Sequence, residues 1–178
     1  MLSSLNLLLA ILTLSSHIFL VVYFLYFLLS KGSPEHSITK FLAKNGLYFA
    51  FAVSAMSSAT SLFYSVIVGY EPCDLCWYQR IFMFPQVFIL GIALYKKSNA
   101  IIDYALTLSA IGGLIALYHN YIYFAGSSSI FPCPASVSSA PCAVQYVLEF
   151  GYITIPVMSL TSFILISFFL LLKKYQRQ

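Results

Sequence analysis

Three observations predict that this chain is an all-α membrane protein with five spanning helices. Hydrophobic residues make up 61% of its 178 residues and charged residues 8%, against about 25% charged in ordinary soluble proteins. The charged residues leave five long stretches untouched. The basic residues cluster on one side of the zigzag those stretches would form, which reports an orientation. So apolar a chain is not disordered, and with no basic stripe the net charge of +4 does not point to nucleic acid.

The charge-free stretches are 5–29, 45–69, 81–95, 104–125 and 150–172, with lengths of 25, 25, 15, 22 and 23 residues. Four reach the roughly 20 residues that a helix needs to cross a ~30 Å hydrocarbon core. The third gives only ~22 Å at ~1.5 Å per residue. It is expected to recruit residues from Trp77 onward, which draws Arg80 to the membrane edge. The first stretch reads as an uncleaved anchor, because nothing basic precedes it and no small-residue cleavage site follows near Ser30. His17 in its middle is either functional or bonded to a neighbouring helix. The remaining pieces leave no room for a separate soluble domain, and no repeat of 20 to 50 residues is visible.

Lys31, Lys40, Lys44, Lys96, Lys97, Lys173, Lys174 and Arg177 all fall on one side, with Arg80 alone on the other. The positive-inside rule then puts the amino terminus outside, the carboxyl terminus in the cytoplasm, and all four cysteines in extracytoplasmic loops. That side is oxidising, so two cysteine pairs there suggest thiol–disulfide chemistry.

Cys73 and Cys76 form a CxxC at the start of a helix, where the helix dipole favours a thiolate. Arg80 stands four residues after Cys76, one turn on and on the same face. Its charge can lower the thiol pKa or hold a polar ligand head group, which makes Cys76 the better candidate for a persistent thiolate and Cys73 its exchange partner. For a lone Arg at a helix end the ordinary alternative is an interfacial anchor, and Trp77 and Tyr78 read as interfacial belt residues without chemistry. Cys133 and Cys142 bracket eight residues, PASVSSAP, and suit either a structural staple or an exchange pair. Ile130 and Phe131 beside them suit docking of a protein that brings its own thiol, and equally suit resting on the membrane surface. A four-cysteine zinc clip fits poorly, since the second half-site is too widely spaced and no metal is expected.

His119 and Asn120 lie at a depth similar to Arg80, where they can bond a ligand carbonyl or a neighbouring helix, with Gln79 and Gln86 as weaker candidates. Pro85 and Pro156 are expected to kink the third and fifth spans, and Gly112 and Gly113 to allow close helix approach. Glu71, Asp74 and Glu149 read as solvated interfacial charge.

The run PCDLCWYQRIFMFP from Pro72 to Pro85, the HN pair at His119 and EFGYITIPVMSL from Glu149 to Leu160 resemble the disulfide bond formation protein B (DsbB) family, especially its BdbC-like branch. The likeness covers residues 45–172, so 1–30 would be an extra N-terminal transmembrane helix, 31–44 a cytoplasmic linker and 173–178 a cytoplasmic tail. It implies a four-helix bundle in the cell membrane that reoxidises an extracytoplasmic thioredoxin-fold partner (DsbA/BdbD-like) and passes electrons to a quinone, ubiquinone or menaquinone. By the same resemblance the partner's thiolate attacks Cys133 and releases Cys142. Cys142 then attacks Cys73 and frees Cys76 beside the quinone, with Arg80 polarising a quinone carbonyl and His119 assisting at the ring. Two other readings stay open: a non-catalytic scaffold held by disulfides or zinc, and a quinone reductase of the vitamin K epoxide reductase type.

Overall fold

The computed structural model of the chain describes residues 2–29, 37–125, 144 and 146–175. Within them are six helices: α1 (Leu2–Leu29), α2 (Ser37–Lys44), α3 (Gly46–Leu62), α4 (Asp74–Lys96), α5 (Ile102–Ala125) and α6 (Ile155–Tyr175). A wider π-turn, Phe63–Ile67, extends α3. Five of these, α3 counted with its π-turn, are long and apolar enough to cross a membrane. The chain is a multi-pass membrane protein, and its surface is what lipid requires: Val66, Phe88, Tyr104 and Leu114 lie exposed on the helices. Among the described residues the only strand-like pairing is the isolated bridge between Glu149 and Ile153.

Helices α3 to α6 pack as a ring in which α3 touches α4 and α6, and α5 touches the same two. Small residues, Ala50, Ala93, Ala105 and Ala116, sit fully buried in this ring and let the backbones approach. Gly112 does so most sharply, because a Cβ there would run into the ring of Phe163 on α6. A Cβ on Gly113 would meet Phe163 only at 3.6 Å, an ordinary contact. Helix α1 stands outside the ring against α6.

Lysines gather at one end of the bundle, where Lys173 Nζ donates to the Lys44 carbonyl at 3.0 Å and Lys174 pairs with Asp103 at 2.6 Å. The segment read as a linker contains α2, which buries Leu42 and Ala43 and exposes Ile38 and Phe41 beside Lys40. That pattern suits a helix lying in a membrane interface.

The two prolines expected to kink spans sit differently in their helices. Pro85 is inside α4, where the Gln86 side chain donates to the Phe82 carbonyl at 2.9 Å in the adjoining turn. Pro156, however, does not kink a span, because α6 begins only at Ile155. In a first turn its missing N–H has no partner to lose. The motif before it is a turn and a cap: Phe150 and Gly151 take φ values of 50° and 76°, and the Thr154 hydroxyl accepts from Val157 N at 3.4 Å. The glycine belongs there because a side chain disfavours that φ.

The packing makes a paired prediction. Gly112→Leu should destabilise the bundle by roughly 1–3 kcal/mol through overpacking against Phe163, whereas Gly113→Ala should be neutral or slightly stabilising. Thermal unfolding in detergent measures both, and equal losses would contradict the α5–α6 contact described here.

Candidate functional site

Cys73 caps α4. Its sulfur accepts from Cys76 N at 3.4 Å, the role a serine oxygen plays at other helix starts, so the three-residue spacing of CxxC is the spacing of an N-cap to its bonded amide. The Cys73 and Cys76 sulfurs, both free thiols, are 3.0 Å apart. From α5, His119 Nε2 reaches to 3.7 Å from the Cys73 sulfur. Gln79, one turn into α4, donates through Nε2 to His119 Nδ1 at 2.9 Å, which fixes the ring and turns Nε2 toward the thiol.

These contacts hold the Cys73 thiol far below its ordinary range, at about 4. The hydrogen bond from Cys76 contributes most, burial opposes it, and His119 and the Cys76 amide add to the lowering. The sequence alone favoured Cys76 as the persistent thiolate. In the dithiol form the Cys76 thiol and amide and His119 converge as donors on Cys73, which lowers its pKa, while the Arg80 guanidinium is bonded to Ser61 on α3. Arg80 Nε donates to Ser61 Oγ at 2.9 Å and a terminal nitrogen donates to the Ser61 carbonyl at 3.0 Å, across on α3. The guanidinium also lies 5.1 Å from the centroid of the Trp77 ring. Trp77 therefore has a role beyond the interfacial belt: it helps set where the cation points.

Cys73, Cys76, Gln79, Arg80 and His119 all line one cavity of about 660 Å³. The cavity extends toward Met83, Leu165 and Phe169, so a polar end carrying sulfur, guanidinium and imidazole opens into an apolar slot. At the cysteine end Tyr64 stacks on Tyr70 at 5.6 Å and Tyr70 on Tyr146 at 4.3 Å, and all three rings border the cavity. No local pattern marks that stack, because its members are drawn from the π-turn, the loop before α4 and the segment before α6.

The remaining candidates separate. Asn120 bonds across to α6, its Nδ2 donating to the Pro156 carbonyl at 2.9 Å, and Gln86 accepts from Ser109 of α5 at 2.9 Å. Both tie helices together. His17 likewise joins α1 to α6, with Nε2 2.8 Å from Thr161 Oγ1 and Nδ1 3.2 Å from Tyr152 OH. Cys133 and Cys142, with Ile130 and Phe131, lie outside the described residues. The ligand atoms of Cys73, Cys76 and His119 fall within 4.8 Å of one another, a spacing that a thiophilic metal ion would also accept.

Comparison with known proteins agrees with this chemistry. The family model for "Disulfide bond formation protein DsbB" matches residues 43–172. Disulfide bond formation protein C of Bacillus subtilis (strain 168) is 42% identical over 132 residues, 74% of this chain and 94% of the relative. A probable disulfide formation protein of Chlamydia caviae is 38% identical over 133 residues, 75% of this chain and 94% of the relative. No solved structure matches significantly. With a CxxC cap lining a cavity among membrane-spanning helices, the chain belongs to the DsbB family and is a membrane disulfide oxidoreductase.

Proposed function

We propose that this protein accepts electrons from a reduced thioredoxin-fold oxidase of the DsbA/BdbD kind outside the cell membrane and delivers them to a membrane quinone, ubiquinone or menaquinone. The orientation is the one the lysines favour, with the cysteine end extracytoplasmic. The observation that carries this reading is the single cavity bordered by Cys76, Arg80 and His119 at one end and by apolar side chains at the other. Those residues fit a quinone: a cation and an imidazole for its carbonyl oxygens, and apolar walls for its ring and tail.

The partner's thiolate attacks Cys133 of a Cys133–Cys142 disulfide, and its second thiol resolves the mixed disulfide, leaving the partner oxidised. Cys142 then attacks Cys73 of a Cys73–Cys76 disulfide, and Cys76 leaves as thiolate. Cys133 next displaces Cys73 from Cys142, so one pair is reformed and the other holds two electrons and two protons. Because Cys73 is only 4% exposed, this exchange requires its surroundings to open. While Cys73 is tied up in the mixed disulfide it no longer competes for charge, and Arg80, one turn along α4, is placed to stabilise the anion on Cys76. His119 Nε2 can carry a proton at the Cys73 sulfur. Bound quinone supplies the two-electron, two-proton sink that regenerates the Cys73–Cys76 disulfide. Such a sink makes the sequence downhill, at about 1.4 kcal/mol for each 30 mV of potential difference.

A second reading, zinc held by Cys73, Cys76 and His119, rests on the close approach of their ligand atoms. Metal analysis of purified protein separates it: stoichiometric zinc that survives addition of quinone would favour a structural centre.

Two experiments test the oxidase reading. In lipid, with reduced partner and quinone, Cys76→Ala should abolish quinone reduction, and Arg80→Ala should raise the quinone KM roughly ten-fold by removing a charge-assisted hydrogen bond. Normal turnover in Cys76→Ala would end the proposal. The second reads protonation of the dithiol. A Cys73 thiol lowered to about 4 is protonated below that pH and ionised above it. Thiolate ultraviolet absorbance should thus already be present near pH 7 and fall only on acidification toward about 4, whereas an ordinary thiol ionises near ~8.5. His119→Ala should move the transition upward; an unchanged midpoint would remove His119 from this role.

A further inference from the structure

We propose that α1, the helix outside the family's matched region of residues 43–172, is a wall of the redox cavity and contacts the apolar tail of the quinone bound there. This rests on the quinone reading above and extends it to residues that the family match does not cover.

Leu9, Leu12, Thr13, Ser16 and Phe19 of α1 border the same cavity as Cys76 and Arg80. From Leu9 to Phe19 is about 15 Å of helix at ~1.5 Å per residue. The opposite walls come from α3, through Val53, Met56 and Thr60, and from α6, through Met158, Leu165 and Phe169. The cavity therefore lies between α1 on one side and α3 and α6 on the other.

Helix α1 is docked by polar contacts along its length and by an aromatic contact toward the lysine end, where Phe19 and Tyr23 meet Phe168 of α6 at 5.8 and 4.8 Å. Asn6 Oδ1 accepts from Tyr64 OH at 2.7 Å near the cysteine end, His17 meets Thr161 at 2.8 Å in mid-span, and Tyr23 OH donates to Thr39 at 3.4 Å toward the lysine end. Between these contacts α1 buries only Ala10 and Thr13. Polar residues are costly on a helix facing hydrocarbon, so three such pairs mark a fixed position in the fold. Fixed at intervals, α1 leaves room beside α3 and α6. That room has the chemistry for an apolar chain: it is walled by Leu, Met and Phe and belongs to the same cavity as the polar end at Arg80. Tyr64 links the two, since it bonds Asn6 and stacks on Tyr70 above the cysteines.

The test uses the full chain in lipid nanodiscs with a quinone whose isoprenoid tail carries a diazirine. After irradiation and digestion, mass spectrometry should find label on the α1 peptide spanning Leu9–Phe19, suppressed by excess unlabelled quinone. In parallel, Ser16→Trp should raise the Kd of a long-tailed quinone about ten-fold more than that of a tail-less one, the effect of losing contact with roughly two methylenes. Ser16→Ala should leave that ratio unchanged. Competed label on α3 and α6 with none on α1, together with an unchanged Kd ratio in Ser16→Trp, would overturn the assignment of α1 while sparing the quinone reading. Absence of any competed label would overturn both. Should Ser16→Trp fail to fold, the labelling of the unaltered chain decides alone.

Discussion

In hydrocarbon a buried polar atom must find its partner within the protein, because water is not there to supply one. That constraint sorts the polar side chains of this bundle. Ser57 donates to Ser162, Ser109 to Gln86, and Asn120 to the Pro156 carbonyl; each bond spans two helices and fixes their register. Cys76, Arg80 and His119 are held as well, but each also borders the cavity. A site made this way is rigid without being closed. The bonds that satisfy Arg80 on Ser61 and His119 on Gln79 aim groups that would otherwise adopt many rotamers.

Two helix ends supply the rest of the geometry. The N-terminus of α4 gives Cys73 an amide donor and a favourable dipole, which a cysteine in mid-helix would lack. On the facing helix, the π-turn of Phe63–Ile67 begins two residues after Ser61, where the Arg80 guanidinium lands. Wider turns of this kind recur at functional sites because one extra residue re-aims the side chains around it. Here the re-aimed residues include Tyr64, which joins the tyrosine stack at the cavity mouth and reaches Asn6 on α1.

Much of the architecture was legible in the sequence because charge is so costly in a membrane that its absence marks the spans. The CxxC was legible too, since N-cap spacing is local, as was Arg80 one turn beyond Cys76. Pro156 misled for a local reason: the charge-free run from Phe150 looks continuous, yet the positive φ at Phe150 and Gly151 breaks it before the helix begins. Charge-free is a weaker condition than helical. The pairs that complete the site were not legible. Gln79 and His119 are 40 residues apart, and Arg80 and Ser61 are 19 apart on different helices. Helical periodicity says which face a residue occupies but not what another helix brings to that face. The same limit hid the destination of α1, whose charge-free sequence says only that it spans.

The position of the thiolate bears on how the two sulfurs of a redox disulfide can divide their work. A sulfur that both receives electrons from a loop and donates them into an apolar slot would have to be exposed on both sides, and its charge would be desolvated by the slot. Dividing the work across one helical turn avoids this conflict. Cys73, at the cap, has its charge stabilised by the Cys76 thiol, the Cys76 amide and His119. Cys76, three residues on, meets the same cavity as Arg80. With the sulfurs 3.0 Å apart, a proton shift across their hydrogen bond transfers the negative charge from one to the other with little movement of the chain. In the proposed cycle the charge would sit on either sulfur of the free pair, and on Cys76 once Cys73 is held in a mixed disulfide.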